Sequence, residues 1–163
     1  MVASSYYGYE DCVEYLIGKG ADVNLKDNNG KTALLWAASN SFENAKILIS
    51  NGAKVNEAAN DGMTPFIQAT LGVTSGKVPI TLCELLLENG ADVNASLTSK
   101  NAAGWAALHY AAVDGDKELV KYLISNGANV NKATAEGSSA LFLAKMGNYD
   151  EIVTILKNAG AKD

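Results

Sequence analysis

The chain has 163 residues, a formal charge of −5 and a pI near 4.9, an acidic balance that argues against nucleic acid or an anionic membrane surface as its main partner. Its opening, MVASSYYGYED, has neither the basic nor the apolar region of a secretory leader, and no apolar run approaches the roughly 18 residues of a membrane span. A cytoplasmic location is expected.

One phrase recurs along the chain: GKGADVN ending at Asn24, SNGAKVN at Asn56, ENGADVN at Asn94, SNGANVN at Asn131 and NAGAKD at the end. Its glycines, Gly20, Gly52, Gly90, Gly127 and Gly160, stand 32, 38, 37 and 33 residues apart, which divides the chain into five repeats of one period with insertions. Glycine just past a helix is the usual left-handed cap, so each phrase marks where a helix ends and the chain turns.

The first repeat, about residues 1–26, begins in mid-helix: aligned on Gly8 and Gly20, Met1 falls where the fourth repeat has Leu108, and Ser4 and Ser5 replace paired alanines. It is expected to be either a polar N-terminal cap or the cut end of a longer array. The second repeat, 27–58, opens with the turn DNNG and the helix TALLWAAS, which Thr32 is placed to cap. The third, 59–95, contains GMTPF with Pro65 at the first helical position, then LGVTSGKVP, an insertion of five residues before a second helix that Pro79 is expected to start. A long polar finger, SLTSKNAAG, leads into the fourth repeat, 96–133. In the fifth, 134–163, Lys145 and Lys157 stand at packing columns, so this repeat is expected to cap the row.

The fourth repeat shows the pattern most fully. Leu108, Ala111 and Ala112 fall at i, i+3 and i+4, one narrow helical face on which the alanines allow close approach. After Gly115 a second helix places Leu119, Val120, Leu123 and Ile124 inward and Asp116, Glu118 and Lys121 toward water. The stretch GWAALHYAA resembles the T-P-L-H-x-A motif of ankyrin repeats, with Ala106 and Ala107 in place of its threonine and proline. Through the five phrases the resemblance covers the whole chain. It implies an all-α repeat solenoid, an ankyrin-type stack of helix-turn-helix units joined by β-turn fingers and forming a single domain over residues 1–163. A non-enzymatic module binding a protein or peptide is the function it implies.

Candidate chemistry is sparse. His109 is the sole histidine, so no site built on several imidazoles can be assembled, and in ankyrin repeats the histidine of this motif is structural. Gly72, Gly76 and Lys77 in GVTSGKV approach a phosphate loop, but three residues separate the glycines where the motif needs four, and Val78 stands where a hydroxyl should bind magnesium. Cys12 and Cys83 are expected as buried, reduced thiols about 20 Å apart, beyond the reach of a disulfide. No cofactor and no metal site is read, and the scattered acids, Asp61, Asp92 and Asp116 among them, serve solubility.

Two columns carry the binding expectation. Trp36 lies two residues, about 200°, from the inward Leu34 and so points away from the stack, in a column with Ala3, Gln68, Tyr110 and Leu143. A second column after each turn glycine holds Lys31, Met63, Trp105 and Ser138. In ankyrin repeats these columns and the finger tips face a concave groove, which makes Trp36, Trp105, Tyr110, Lys31, Met63, Gln68, Ser138 and Asp114 the candidate partner contacts. Tryptophan and tyrosine are favoured interface anchors, and Trp36 and Tyr110 equally suit a role covering the gap between helices. The loops at 71–78 and 95–103 edge the same region. A monomer that binds neither nucleic acid nor membrane is expected; the alternatives are self-association through the face near Tyr6, Tyr7 and Tyr9, and a nucleotide switch at the Lys77 loop.

Overall fold

The computed structural model describes residues 1–162, and their regular structure is helical apart from two isolated antiparallel bridges, Ser96 to Ala106 and Ala133 to Ser139. Ten helices follow in order: α1 (Val2–Tyr7), α2 (Glu10–Gly18), α3 (Ala33–Ala37), α4 (Phe42–Ser50), α5 (Pro65–Thr74), α6 (Thr81–Glu88), α7 (Ala107–Val113), α8 (Lys117–Ser125), α9 (Ala140–Met146) and α10 (Asp150–Asn158). None exceeds ten residues. Helices this short are unstable alone in water, so packing holds them.

The fold divides into two compact units, Met1–Asp92 and a second from Val93 onward. In the first unit α1, α3 and α5 pack in one layer and α2, α4 and α6 in another, with the two helices of each repeat packed on one another. Leu34, Leu48, Phe66, Ile67, Leu82 and Leu86 fill the space between, each at most 1% exposed. Each such side chain contributes about 1.5–3 kcal/mol by leaving water. In the second unit α7 packs on α9 and α8 on α10 around Leu119, Leu123, Leu141, Ile152 and Leu156. The paired alanines sit where layers touch: Ala37, Ala38 and Ala69 in the first unit, Ala111, Ala112 and Ala144 in the second, all fully buried.

Helix starts follow the sequence closely. Thr32, Thr64 and Ser139 each accept a hydrogen bond from the amide three residues on, at 3.2–3.3 Å. Pro79 departs from expectation, because α6 begins at Thr81. The Leu82 amide reaches the Pro79 carbonyl and the Cys83 amide that of Ile80, so the proline opens a tighter turn that runs into the helix.

The recurring asparagine has a purpose that the phrase alone does not disclose. Asn24 donates to the Gly52 carbonyl at 3.0 Å and accepts from the Lys54 amide at 2.9 Å. Asn56 does the same to Gly90 and Asp92, Asn94 to Gly127 and Asn129, and Asn131 to Gly160 and Lys162. Each side-chain amide thus clamps the chain reversal one repeat ahead, satisfying backbone groups that follow a helix C-terminus.

Finger tips also join. In the first unit the Asn60 amide donates to the Asn29 carbonyl at 3.0 Å; in the second the Ala135 amide donates to that of Ala103 at 2.8 Å. Gly30 and Gly104 permit this approach. At φ +85° Gly104 is left-handed, and a Cβ there would lie 2.9 Å from the Thr134 Cα.

Candidate functional site

Trp36 is the centre of the first unit's cluster. Its indole Nε1 donates to Asp27 Oδ2 at 3.3 Å, the Lys31 ammonium lies 4.4 Å from its ring centroid, and Tyr6 meets it edge-on at 5.3 Å and 89°. Asp27 is fixed as an anion: the amides of Lys31 and Asn29 donate to Oδ1, and these bonds with the Trp36 contact hold its carboxyl below the ordinary value. The indole is therefore oriented by groups on three sides while remaining half-buried. Met63 and Gln68, also half-buried, belong to the same unit. Tyr6 and Asp27 were not among the expected contacts. Tyr6 lies one helical turn beyond Ala3 of the Trp36 column, a spacing that shares a face; nothing local marks Asp27, nine residues from the indole it orients.

The second unit has its own cluster. Trp105 lies 5.0 Å from Tyr110 and 5.9 Å from His109, all rings tilted. The carbonyl of Trp105 accepts from the Leu97 amide at 2.8 Å, which ties the finger back to the start of α7, and Leu97 is buried beneath it. The long polar finger is thus folded around an apolar residue. Ser138 is half-buried and Asp114, the C-terminal residue of the α7 turn, is exposed.

His109 is 1% exposed and structural in placement. Its Nδ1 accepts the Ala106 amide at 3.1 Å, so the proton sits on Nε2, which donates to the Lys132 carbonyl at 3.0 Å. Thr32 and Thr64 accept from the amide three residues on, whereas His109 reaches back to accept the amide of Ala106 at the start of its own helix, the reverse half of such a cap. Burial lowers its pKa from 6.5.

The Lys77 loop is closed to an anion. The amides of Lys77 and Val78 both donate to the Gly72 carbonyl, Gly76 to Val73 and Ser75 to Leu71, so the groups that would cradle phosphate are engaged in a helix cap. Gly72 is a packing glycine: a Cβ would lie 2.6 Å from a Val78 methyl and 3.2 Å from the Ala38 carbonyl. The insertion is thereby an extra turn of α5 with its cap.

Cys83 is buried and its thiol is pushed up to about 12 by desolvation. Cys12, expected buried, is exposed, and its neighbour Val13 takes the inward position on α2. Leu143, expected to point outward with Trp36, is 8% exposed in the layer where α9 packs along α7. Lys145 and Lys157 are exposed. Among the described residues no group of three or more His, Cys, Asp or Glu side chains is placed to hold a metal, and no helix is long and apolar enough to cross a membrane.

The family model for ankyrin repeats (three copies) matches residues 1–96 and 75–163. Human neurogenic locus notch homolog protein 1 is 34% identical over 140 residues, 85% of this chain and 5% of its own length. Human ankyrin repeat and SOCS box protein 16 is 32% identical over 141 residues, 86% of this chain and 29% of its own. Ankyrin repeat and SAM domain-containing protein 6 of Rattus norvegicus is 37% identical over 94 residues, 58% of this chain and 10% of its own. The chain therefore spans less than a third of each of these relatives.

Proposed function

This chain belongs to the ankyrin-repeat family, and from that premise we propose that it is a non-enzymatic module that holds a protein or peptide through the concave groove and finger tips. One patch in each unit carries the contact. In the first it comprises Lys31, Trp36, Met63 and Gln68; in the second, Trp105, Tyr110, Asp114 and Ser138. The last turn of α5 with its cap, 71–78, and the finger at 95–103 extend it. It works as a monomer in the cytoplasm, without cofactor, and has neither nucleic acid nor membrane as partner.

The observation that carries this reading is the state of Trp36: anchored by Asp27, Lys31 and Tyr6 at 3.3, 4.4 and 5.3 Å, yet still partly open to solvent. A large ring ordered before the partner arrives loses little further entropy on binding, which is how a rigid scaffold gains affinity. A pull-down from source lysate compares the wild-type chain with Trp36→Ala/Trp105→Ala/Tyr110→Ala combined, after circular dichroism shows both folded. A partner retained only by the wild type is expected. Equal retention by both would move the contact elsewhere on the molecule.

A further inference from the structure

The aromatic side chains of the first unit continue past Trp36. Ring contacts run from Trp36 to Tyr6 at 5.3 Å, from Tyr6 to Tyr7 at 5.0 Å and from Tyr7 to Tyr9 at 6.1 Å, so four rings form one strip around the turn between α1 and α2. Tyr6 is 38% exposed, Tyr7 67% and Tyr9 60%. Adjoining open rings mark an interaction surface in a way that a lone exposed tyrosine does not.

Beyond Tyr9 the strip meets an acidic edge. Glu10 and Asp11 open α2, Glu14 follows one turn later, and with Glu43 and Lys46 of α4 they line a groove of about 410 Å³ in which carboxylates outnumber the one ammonium. All four carboxylates are exposed, and none joins an ion pair among the described residues. The rings of this unit already seat cations: Lys31 over Trp36 at 4.4 Å and Lys19 over Tyr15 at 5.4 Å. No cation lies over Tyr7 or Tyr9 among the described residues.

We propose that this face docks a basic, arginine-bearing peptide segment of the partner, a proposal that rests on the interaction-module reading above and narrows its partner. A guanidinium lies over Tyr7 and Tyr9, and Glu10, Asp11 and Glu14 answer its charge. Arginine is favoured over lysine because its planar group both stacks on a ring and forks to a carboxylate. The exposed carboxylates supply charge complementarity, which steers such a segment to the edge and sets its register.

The test uses fluorescence anisotropy with a labelled synthetic peptide of alternating arginine and glycine, and its lysine counterpart, titrated with the full chain. Three variants accompany the wild type: Tyr7→Ala/Tyr9→Ala, Glu10→Gln/Asp11→Asn/Glu14→Gln, and a charge-matched control, Glu84→Gln/Glu88→Gln/Glu136→Gln. Tyr9 makes no side-chain cap bond to α2, so its truncation leaves the helix start intact. The arginine peptide should bind several-fold tighter than the lysine peptide. The ring variant should lose about five-fold, and the acid variant about ten-fold at about 50 mM salt. The control should lose less than two-fold or so, since its carboxylates lie elsewhere. No binding of the arginine peptide overturns the proposal, as does equal weakening by the acid and control variants, which assigns the effect to net charge alone. Light scattering that finds a dimer in the wild type and a monomer in the ring variant would place a second copy on the strip and also overturn it. If the pull-down retains a partner that the combined tryptophan and tyrosine variant loses while the arginine peptide stays unbound, the interaction module stands and the arginine assignment falls.

Discussion

Replacing His109 by alanine tests the packing logic of the second unit at a buried side chain bonded to backbone at both ring nitrogens. The substitution strips the Ala106 amide of its acceptor at 3.1 Å and the Lys132 carbonyl of its donor at 3.0 Å. Ala106 is 3% exposed, so its amide cannot turn to water, and an unsatisfied buried group costs about 1–3 kcal/mol. Lys132 is half-buried and its carbonyl can recover a water, which puts its loss at the low end. Loss of the ring against Trp105, 5.9 Å away, adds a cavity term. Together these give about 2–4 kcal/mol. In a chain of this size that is a drop in Tm of roughly 5–15 °C. Urea unfolding followed by far-ultraviolet circular dichroism measures it. A loss below about 1 kcal/mol would refute the view that the imidazole holds the start of α7 through the Ala106 amide and the Lys132 carbonyl.

Other consequences follow from the same geometry. Because burial holds the folded imidazole below 6.5, the unfolded chain binds its proton first as pH falls; stability is complete above pH 6.5 and declines below it until the folded ring also protonates. His109→Gln should flatten the stability profile between about pH 7 and 5.5, and an unchanged slope would contradict this, since no other histidine is present. Gly104→Ala should cost about 1–3 kcal/mol, from left-handed strain and the 2.9 Å approach to Thr134, seen as a lowered urea midpoint; wild-type stability would contradict it. A thiol reagent applied to the folded chain should modify exposed Cys12 and leave Cys83, buried and pushed up to about 12, untouched until unfolding, as mass spectrometry of the peptides would show.

Much of the fold was legible because its signals are local. A capping glycine, an apolar face at helical spacing and a threonine before a helix each act within a few residues, so the starts of α3 and α5 could be read directly, while the end of α5 was hidden because the inserted residues continue the helix to Thr74. The asparagine clamps were illegible for the opposite reason: Asn56 earns its place through Gly90 and Asp92, more than thirty residues on, and only its repetition hinted at a role. Cys12 was misplaced because the residue that α2 turns inward is its neighbour Val13, a shift of one position that helical spacing alone did not resolve. The candidate site was half legible. Trp36 and Trp105 were identified by column, but what holds them, Asp27 at the indole of one and the Leu97 amide at the backbone carbonyl of the other, depends on how turns fold back.

Hydroxyl-radical footprinting of the chain alone and in complex with the captured partner tests the interaction surface most directly. Oxidation of Trp36, Trp105 and Tyr110 should fall on binding while Phe142 and Tyr149 stay as reactive as before. Unchanged reactivity at both tryptophans, with protection appearing elsewhere, would contradict it.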